Sequence, residues 1–210
     1  ANSLVNPLTA LGMLETIQRG KHPAVIQTAA VSQLGWMMVR LCRDAGIPLV
    51  NVVRREEQAE SLRAAGATHV LDSSRPDFED ALETLARELG ATIALDAVAG
   101  PMTGTLLAAM PEGAEVVVYG ALSYEACSGL DPIELIFQQK RVRGFFLGAW
   151  AESLGFLRLM QIVKKSQALM AEGTLRTNVA RRIPLDDLRE GLLDYTRHLS
   201  EGKAILRLGE

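Results

Sequence analysis

A chain of 210 residues with 48% hydrophobic and 22% charged side chains has the composition of a sequence that buries a core, which excludes disorder and collagen-like structure. A net charge of -3 and a pI near 5.7 supply no field that would gather a polyanion, so neither nucleic acid nor anionic lipid is expected as a partner. Two cysteines, Cys42 and Cys127, are too few for a disulfide framework or a four-ligand zinc site and fit a reducing compartment, with the cytoplasm as the default. The most apolar long stretch, 23–39, is interrupted by Gln27, Ser32, Gln33 and Gly35 and does not resemble a membrane span. No charged segment followed by an apolar one opens the sequence, so no signal peptide is expected.

In chain order, Asn6-Pro7 predicts a helix start with Asn6 as its capping residue, and the helix is expected to run to about Gly20. A buried strand over 25–29 breaks into Ala30-Val31-Ser32-Gln33-Leu34-Gly35, after which Met38, Leu41 and Cys42 take helical spacing up to Gly46. The alternation continues with a strand over 49–53, a helix over 56–65, a strand over 69–71 and a helix over 78–89 closed by Gly90. It repeats with a strand over 92–96, a helix over 102–109, a strand over 115–119, a helix over 132–139 and a strand over 142–147. Six strands, each followed by one helix-sized segment, demand right-handed parallel crossovers. The expected fold class is therefore α/β, a doubly wound, six-stranded parallel sheet of the Rossmann type. The tail reads differently, as a long helix over 152–172, a strand over 178–183, a helix over 185–197 and a last strand over 203–208.

In such a sheet a ligand sits where the first strand turns into the first crossover helix. Small residues there let a backbone approach a pyrophosphate, and the N–H groups that open the helix receive its charge. Ala29, Ser32 and Gly35 have the spacing and the small volumes, with Gln33 and Leu34 at the helix start, but only Gly35 is glycine. Two readings stand at this point, a dinucleotide site and a tight turn that binds nothing. The second strand ends in Val52-Val53-Arg54-Arg55, so guanidiniums stand where a carboxylate would meet the ribose 2′-hydroxyl of NAD. A planar fork of donors suits the 2′-phosphate of NADP, whereas surface pairing of Arg54 and Arg55 with Glu56 and Glu57 is the alternative.

Five ordered motifs carry a resemblance. They are Asn6-Pro7-Leu8-Thr9-Ala10, Ala65-Gly66-Ala67-Thr68-His69-Val70-Leu71-Asp72, Leu95-Asp96-Ala97-Val98-Ala99-Gly100, Val118-Tyr119-Gly120-Ala121-Leu122 and Arg143-Gly144-Phe145-Phe146-Leu147-Gly148. Together they resemble the medium-chain dehydrogenase/reductase superfamily, and within it the zinc-free quinone oxidoreductase and 2-enoyl thioester reductase branch. The turn departs from that pattern, since those enzymes carry more glycine than 29–35 offers.

The resemblance implies that residues 1–177 form the dinucleotide-binding domain. It also implies that 178–210 are a C-terminal remnant of a β-rich, GroES-like catalytic domain whose main part this sequence does not include. It further implies NADP(H) as cofactor, with Thr9, Phe146 and Leu147 near the nicotinamide and Tyr119, Gly120 and Leu122 flanking the adenosine or the nicotinamide ribose. The activity implied is hydride transfer to a small molecule bearing an activated C=C or C=O, a quinone or an enoyl thioester. Relatives that bind zinc place a cysteine near the first helix, where Leu4-Val5-Asn6-Pro7-Leu8-Thr9 has none. No metal ligand is therefore nominated.

His22, His69 and His198 are scattered singly and read as surface or strand-end residues, Cys42 as core and Cys127 as an exposed loop residue. Met37, Met38, Met160 and Met170 read as packing. No catalytic acid, base or nucleophile is assigned, and Tyr119 and Tyr124 are not given the proton-donor role. A different class remains open, a non-catalytic or structural nucleotide-binding module. A methyltransferase on another doubly wound sheet explains neither Arg54 and Arg55 nor the tail. The sixth strand, expected to open at Arg141 and close at Gly148, would lie at the sheet edge with apolar Val142, Phe145, Phe146 and Leu147, which predicts a homodimer built on it near Trp150 and loop 123–130.

Overall fold

The computed structural model describes residues 4–197 and 202–207. Six strands, β1 (Ala24–Gln27), β2 (Leu49–Val53), β3 (His69–Asp72), β4 (Ala91–Asp96), β5 (Glu115–Val118) and β6 (Arg141–Gly144), form one sheet in the order β3-β2-β1-β4-β5-β6. Every pairing is parallel, so all six carboxyl ends emerge on one edge. The order reverses between β1 and β4, and that break is where a doubly wound sheet opens a crevice.

Helices cover both faces. Val25, Ile93, Leu95 and Val117 pack with α1 (Val5–Gly20) and α2 (Gln33–Asp44), while Ala24, Ile26, Ala94 and Val116 pack with α4 (Phe78–Leu89) and α5 (Met102–Ala109), one step out of phase along each strand. Strands buried on both sides read as mainly apolar runs, which is why β1, β2, β4 and β5 show no regular polar alternation. Helix α3 (Glu56–Ala64) packs against β2 and β3 through Ala59 and Leu62, and α6 (Pro132–Phe137) lies beyond β5 with no buried residue.

Four expectations about boundaries are corrected. Asn6 does not cap α1: the cap position is Leu4, no side chain closes it, and Asn6 and Pro7 sit inside the first turn, where a missing N–H costs nothing. The first strand ends at Gln27 rather than 29, because Ala29 takes a left-handed φ of 49° that no strand accommodates. The sixth strand ends at Gly144. Phe145 turns inward onto the core, and Leu147 and Gly148 belong to α7 (Leu147–Ser153), whose Trp150 ring lies 6.2 Å from that of Phe145. The long helix expected over 152–172 is two helices, α7 and α8 (Phe156–Ala171), parted at Gly155 with φ of 70°.

The tail forms its own two-stranded parallel sheet from β7 (Val179–Pro184) and β8 (Lys203–Arg207), joined through a short 3-10 turn and α9 (Leu188–Arg197). It does not join the main sheet. His198 and Leu208, named in the sequence analysis, lie outside the described residues.

Candidate functional site

The turn after β1 is tied to the strand on each side. The Thr28 N–H donates to the Leu95 carbonyl on β4 (3.1 Å) and the Ala30 N–H to the Val52 carbonyl on β2 (3.3 Å). Ser32 caps α2, its Oγ accepting the Gly35 N–H at 3.0 Å. A Cβ on Gly35 would lie 2.3 Å from the Ala30 carbonyl oxygen, so this position accepts only glycine. Ala29 and Ser32, where more glycine is usual, are accommodated by the left-handed Ala29 backbone and the Ser32 cap. Among the described residues no protein acceptor takes the N–H groups of Gln33 and Leu34, which open α2 toward the crevice. The Gln33 side chain is occupied elsewhere, its Oε1 accepting the Asn178 N–H (2.8 Å).

Two buried polar groups under the turn were not singled out as site residues from the sequence. Gln27, the last residue of β1, donates from Nε2 to Asn51 Oδ1 (2.7 Å) and to the Gly35 carbonyl (3.2 Å), and Asn51 donates from Nδ2 to the carbonyls of Leu49 and His69 (both 3.1 Å). Asp96, fully buried at the end of β4, accepts from Thr28 Oγ1 (3.0 Å), the Val98 N–H (2.8 Å), the Ala99 N–H (3.2 Å) and Thr103 Oγ1 (2.8 Å). The signal was available: Gln27, Asn51 and Asp96 are polar residues in strands that are otherwise apolar, and a buried polar group needs a partner.

Arg54 and Arg55 follow β2. The bond from the Ala30 N–H to the Val52 carbonyl sets Ala30 beside Val53, and Arg54 follows one residue further along the same edge. Both are exposed, and neither guanidinium is in an ion pair among the described residues, because Glu56 is taken by Arg63. Glu56 and Glu57 instead stand in the first turn of α3, where their charge suits the helix N-terminus. The surface-pairing alternative for the two arginines is therefore not what the structure shows. A cavity of about 230 Å³ near the β3 edge is lined by Glu56, Arg63, Asp72, Arg75 and Asp77 over Leu71 and Phe78. Its arginines are matched by carboxylates, Arg63 with Glu56 and Arg75 with Asp77, so it offers an anion no unpaired cation.

The opposite rim is built by the loops after β4, β5 and β6. Gly120 lies against the Ala97 carbonyl, where a Cβ would come within 2.8 Å, and the Leu122 N–H donates to that same carbonyl (3.0 Å). Tyr119 packs on the core, and burial with the nearby Asp96 charge pushes its hydroxyl well above the usual phenol range. Leu122 and Phe146 are exposed, and Leu147 starts α7. Three residues connect α1 to β1, so α1 runs back against the strands and its early residue Thr9, buried, lies toward the crevice end. Gly12 beneath it meets Phe145 and Trp150. The sequence-derived residues thus share one edge of the sheet in two groups, turn and arginines on one side, Thr9, Tyr119, Gly120, Leu122, Phe146 and Leu147 on the other.

The opposite edge carries a separate cluster. His22 Nδ1 lies 2.8 Å from Thr92 Oγ1, and Arg143 forks onto Glu115 at 2.9 and 3.0 Å. Among the described residues no three His, Cys, Asp or Glu side chains come together to hold a metal ion. Cys42 is buried, its thiol pushed up to about 12 by desolvation, and Cys127 is exposed. Met37 and Met38 are core residues, whereas Met160 is exposed and its expected packing role is corrected. No described helix is long and apolar enough to cross a membrane.

The chain is similar to known proteins over its whole length. It is 26% identical over 214 residues to the human mitochondrial enoyl-[acyl-carrier-protein] reductase, covering 97% of this chain and 56% of the relative. A solved structure described as a "putative NADPH:quinone reductase" from Mesorhizobium loti superposes with a TM-score of 0.89 at 33% identity, covering 99% of this chain and 60% of the other. A 2-enoyl thioester reductase heterodimer from Candida tropicalis, at 21% identity and a TM-score of 0.80, shares the fold. The chain spans about half the length of the curated relatives it matches. The sequence profile of the zinc-binding dehydrogenase family matches residues 34–162, more than half of the chain. With the strand order and the turn architecture described above, this match establishes that the chain belongs to the zinc-binding dehydrogenase family, within the medium-chain dehydrogenase/reductase superfamily.

Proposed function

We propose that this chain is the NADPH-binding part of an oxidoreductase that delivers a hydride to an activated C=C or C=O, of the quinone or enoyl thioester kind. The observation that carries the reading is the pair Arg54 and Arg55, exposed and, among the described residues, free of ion pairs at the end of β2, beside a turn whose helix offers N–H groups that no described residue accepts. The names of the 33%-identical quinone reductase and of the enoyl reductase relatives support the cofactor and the reaction class.

The residues fit such a cofactor. The N–H groups of Gln33 and Leu34 would receive the pyrophosphate, Gly35 would permit its approach, and Arg54 and Arg55 would hold the 2′-phosphate. Thr9, Phe146 and Leu147 would lie near the nicotinamide, and Tyr119, Gly120 and Leu122 would flank the adenosine or the nicotinamide ribose. The bound nicotinamide supplies the hydride. Tyr119 is partly buried against the core and its hydroxyl pKa is raised; the proton that completes the reduction is assigned to the part of the relatives that this chain does not span. Zinc, implied by the family's name, finds no set of three His, Cys, Asp or Glu donors among the described residues, so the site they form does not fit it.

The 178–210 segment is read as belonging to that other domain, which accounts for the exposed Leu185, Leu192, Leu193, Ile205 and Leu206. A homodimer built on the free edge of β6, beside the exposed Ile133, Ile136 and Phe137 of α6, completes the assembly, and a reducing compartment such as the cytoplasm suits two free thiols.

Calorimetric titration tests the reading. A charge-assisted hydrogen bond is worth about 1.5 to 3 kcal/mol, so NADPH should bind roughly ten- to a hundredfold more tightly than NADH. Arg54→Ala combined with Arg55→Ala should remove that difference and leave NADH binding nearly unchanged. Equal affinity for the two in the parent chain refutes the cofactor assignment. Tight NADPH binding without turnover on quinones or enoyl thioesters, once the full-length protein is assayed, would make it a binding module.

A further inference from the structure

The turn that should hold a pyrophosphate lacks the glycines that usually shape it, yet it has a definite shape, with Ala29 held at φ of 49°. A non-glycine residue stays in that region only where its surroundings over-determine it. Thr28, the residue before it, is fixed three ways. Its N–H donates to the Leu95 carbonyl, its Oγ1 donates to Asp96 Oδ1 at 3.0 Å, and the same Oγ1 accepts the Ala97 N–H at 2.8 Å.

Asp96 is fully buried, and its carboxylate is saturated by Thr28, Val98, Ala99 and Thr103. No acceptor capacity is left for a substrate. Burying a carboxylate is costly even when it is well hydrogen-bonded, and well-packed apolar side chains often do as well for stability. What they cannot do is hold the turns on both sides of the crevice in one geometry. One side is 28–35. The other is 97–100, where Ala99 and Gly100 also take positive φ, 63° and 61°.

We propose that the Thr28–Asp96 pair is the positioning element that replaces glycine in shaping the turn for a dinucleotide pyrophosphate. The inference rests on the NADPH reading above, and the experiment separates the two. Parent, Thr28→Val, Thr28→Cys, Thr28→Ser and Thr103→Val chains are titrated with NADPH and with adenosine 2′-phosphate, which has the phosphate for Arg54 and Arg55 but no pyrophosphate. Thermal midpoints are taken for all five.

Thr28→Val should weaken NADPH about tenfold or more and leave adenosine 2′-phosphate within about twofold, the loss expected when one buried hydrogen bond no longer orients the turn. Thr28→Ser should bind NADPH within about threefold of the parent, and Thr28→Cys, with its weaker S–H donor, should fall between. Thr103→Val removes an Asp96 donor on the α5 side. It should lower the thermal midpoint yet keep NADPH affinity within about threefold, which a purely structural role for the network does not predict. The inference is overturned if Thr28→Val, or Thr28→Cys should the first not fold, binds NADPH like the parent. It is equally overturned if both ligands weaken together, or if Thr103→Val costs NADPH as much as Thr28→Val. A parent chain that binds neither ligand overturns the NADPH reading and this inference with it.

Discussion

The six-stranded body and the C-terminal pair of strands use the same β-α-β connection and end in opposite states. In the body, Leu62, Ile93, Leu106 and Leu107 are fully buried because helices close both faces of the sheet. In the tail, α9 covers one face of β7 and β8. Ile183 packs there against Gly191, while Leu192, Leu193, Ile205 and Leu206 stay exposed. The difference shows that a local pattern forms the element, but burial depends on how many elements are stacked. An apolar face left open in this way marks where another surface belongs.

The largest test of that contrast sets a body residue against a tail residue. Leu107→Ala should cost about 2 to 5 kcal/mol by urea denaturation, the range for a fully buried leucine. Leu206→Ser, at a position 44% exposed, should stay within about 0.5 kcal/mol. Comparable losses would mean that the tail unfolds as part of the body's own cooperative unit.

The second test asks whether the proposed homodimer is built on the β6 edge. Arg141 and Phe145 donate their N–H groups inward to Ala114 and Val118, so the alternate residues Val142 and Gly144 turn theirs outward. Gly144→Pro should therefore remove the outer donor without breaking the inner ladder. By light scattering the proposed homodimer should be seen in the parent and a monomer in the Gly144→Pro chain, whereas a dimer that survives in a folded chain would move the interface to the tail.

A smaller effect sharpens the body's self-sufficiency. The His22 imidazole at 3.7 Å and the forked Arg143 guanidinium, whose contacts are the shorter, lower the Glu115 pKa from 4.5 to about 2. The folded carboxylate is thus easier to ionise than the unfolded one. Its stabilisation is present in full above about 4.5 and is lost as pH falls toward about 2. Arg143→Leu should reduce the loss of stability between pH 5 and 3, on the order of 1 kcal/mol or less because the guanidinium is partly exposed. An unchanged pH profile would assign the coupling to His22 alone.

Much of the body was legible because each strand and helix is decided by its own residues. The helix Phe78–Leu89 with Gly90 in the left-handed position behind it and the helix Met102–Ala109 have the expected bounds. Boundaries failed where tertiary contact overrode the local signal. Phe145 reads as strand by its apolar neighbours, but it packs inward on the core, and the chain turns there into α7. In the site, Gly35 and the arginines were visible as types at a spacing. Thr28 bonded to Asp96 was not, since 68 residues separate the partners and only the sheet brings β1 beside β4.

One contact ties the two regions mechanically. Between α8 and β7 the chain lies along α2: Arg40 holds the carbonyls of Thr174 (2.5 Å) and Arg176 (3.2 Å), Gln33 holds the Asn178 N–H, and the Leu175 side chain plugs the core between them. The helix gripped in this way is the one whose first turn faces the crevice. A rotation of the tail must either break these three hydrogen bonds or carry with it α2, the helix that begins at the turn after β1.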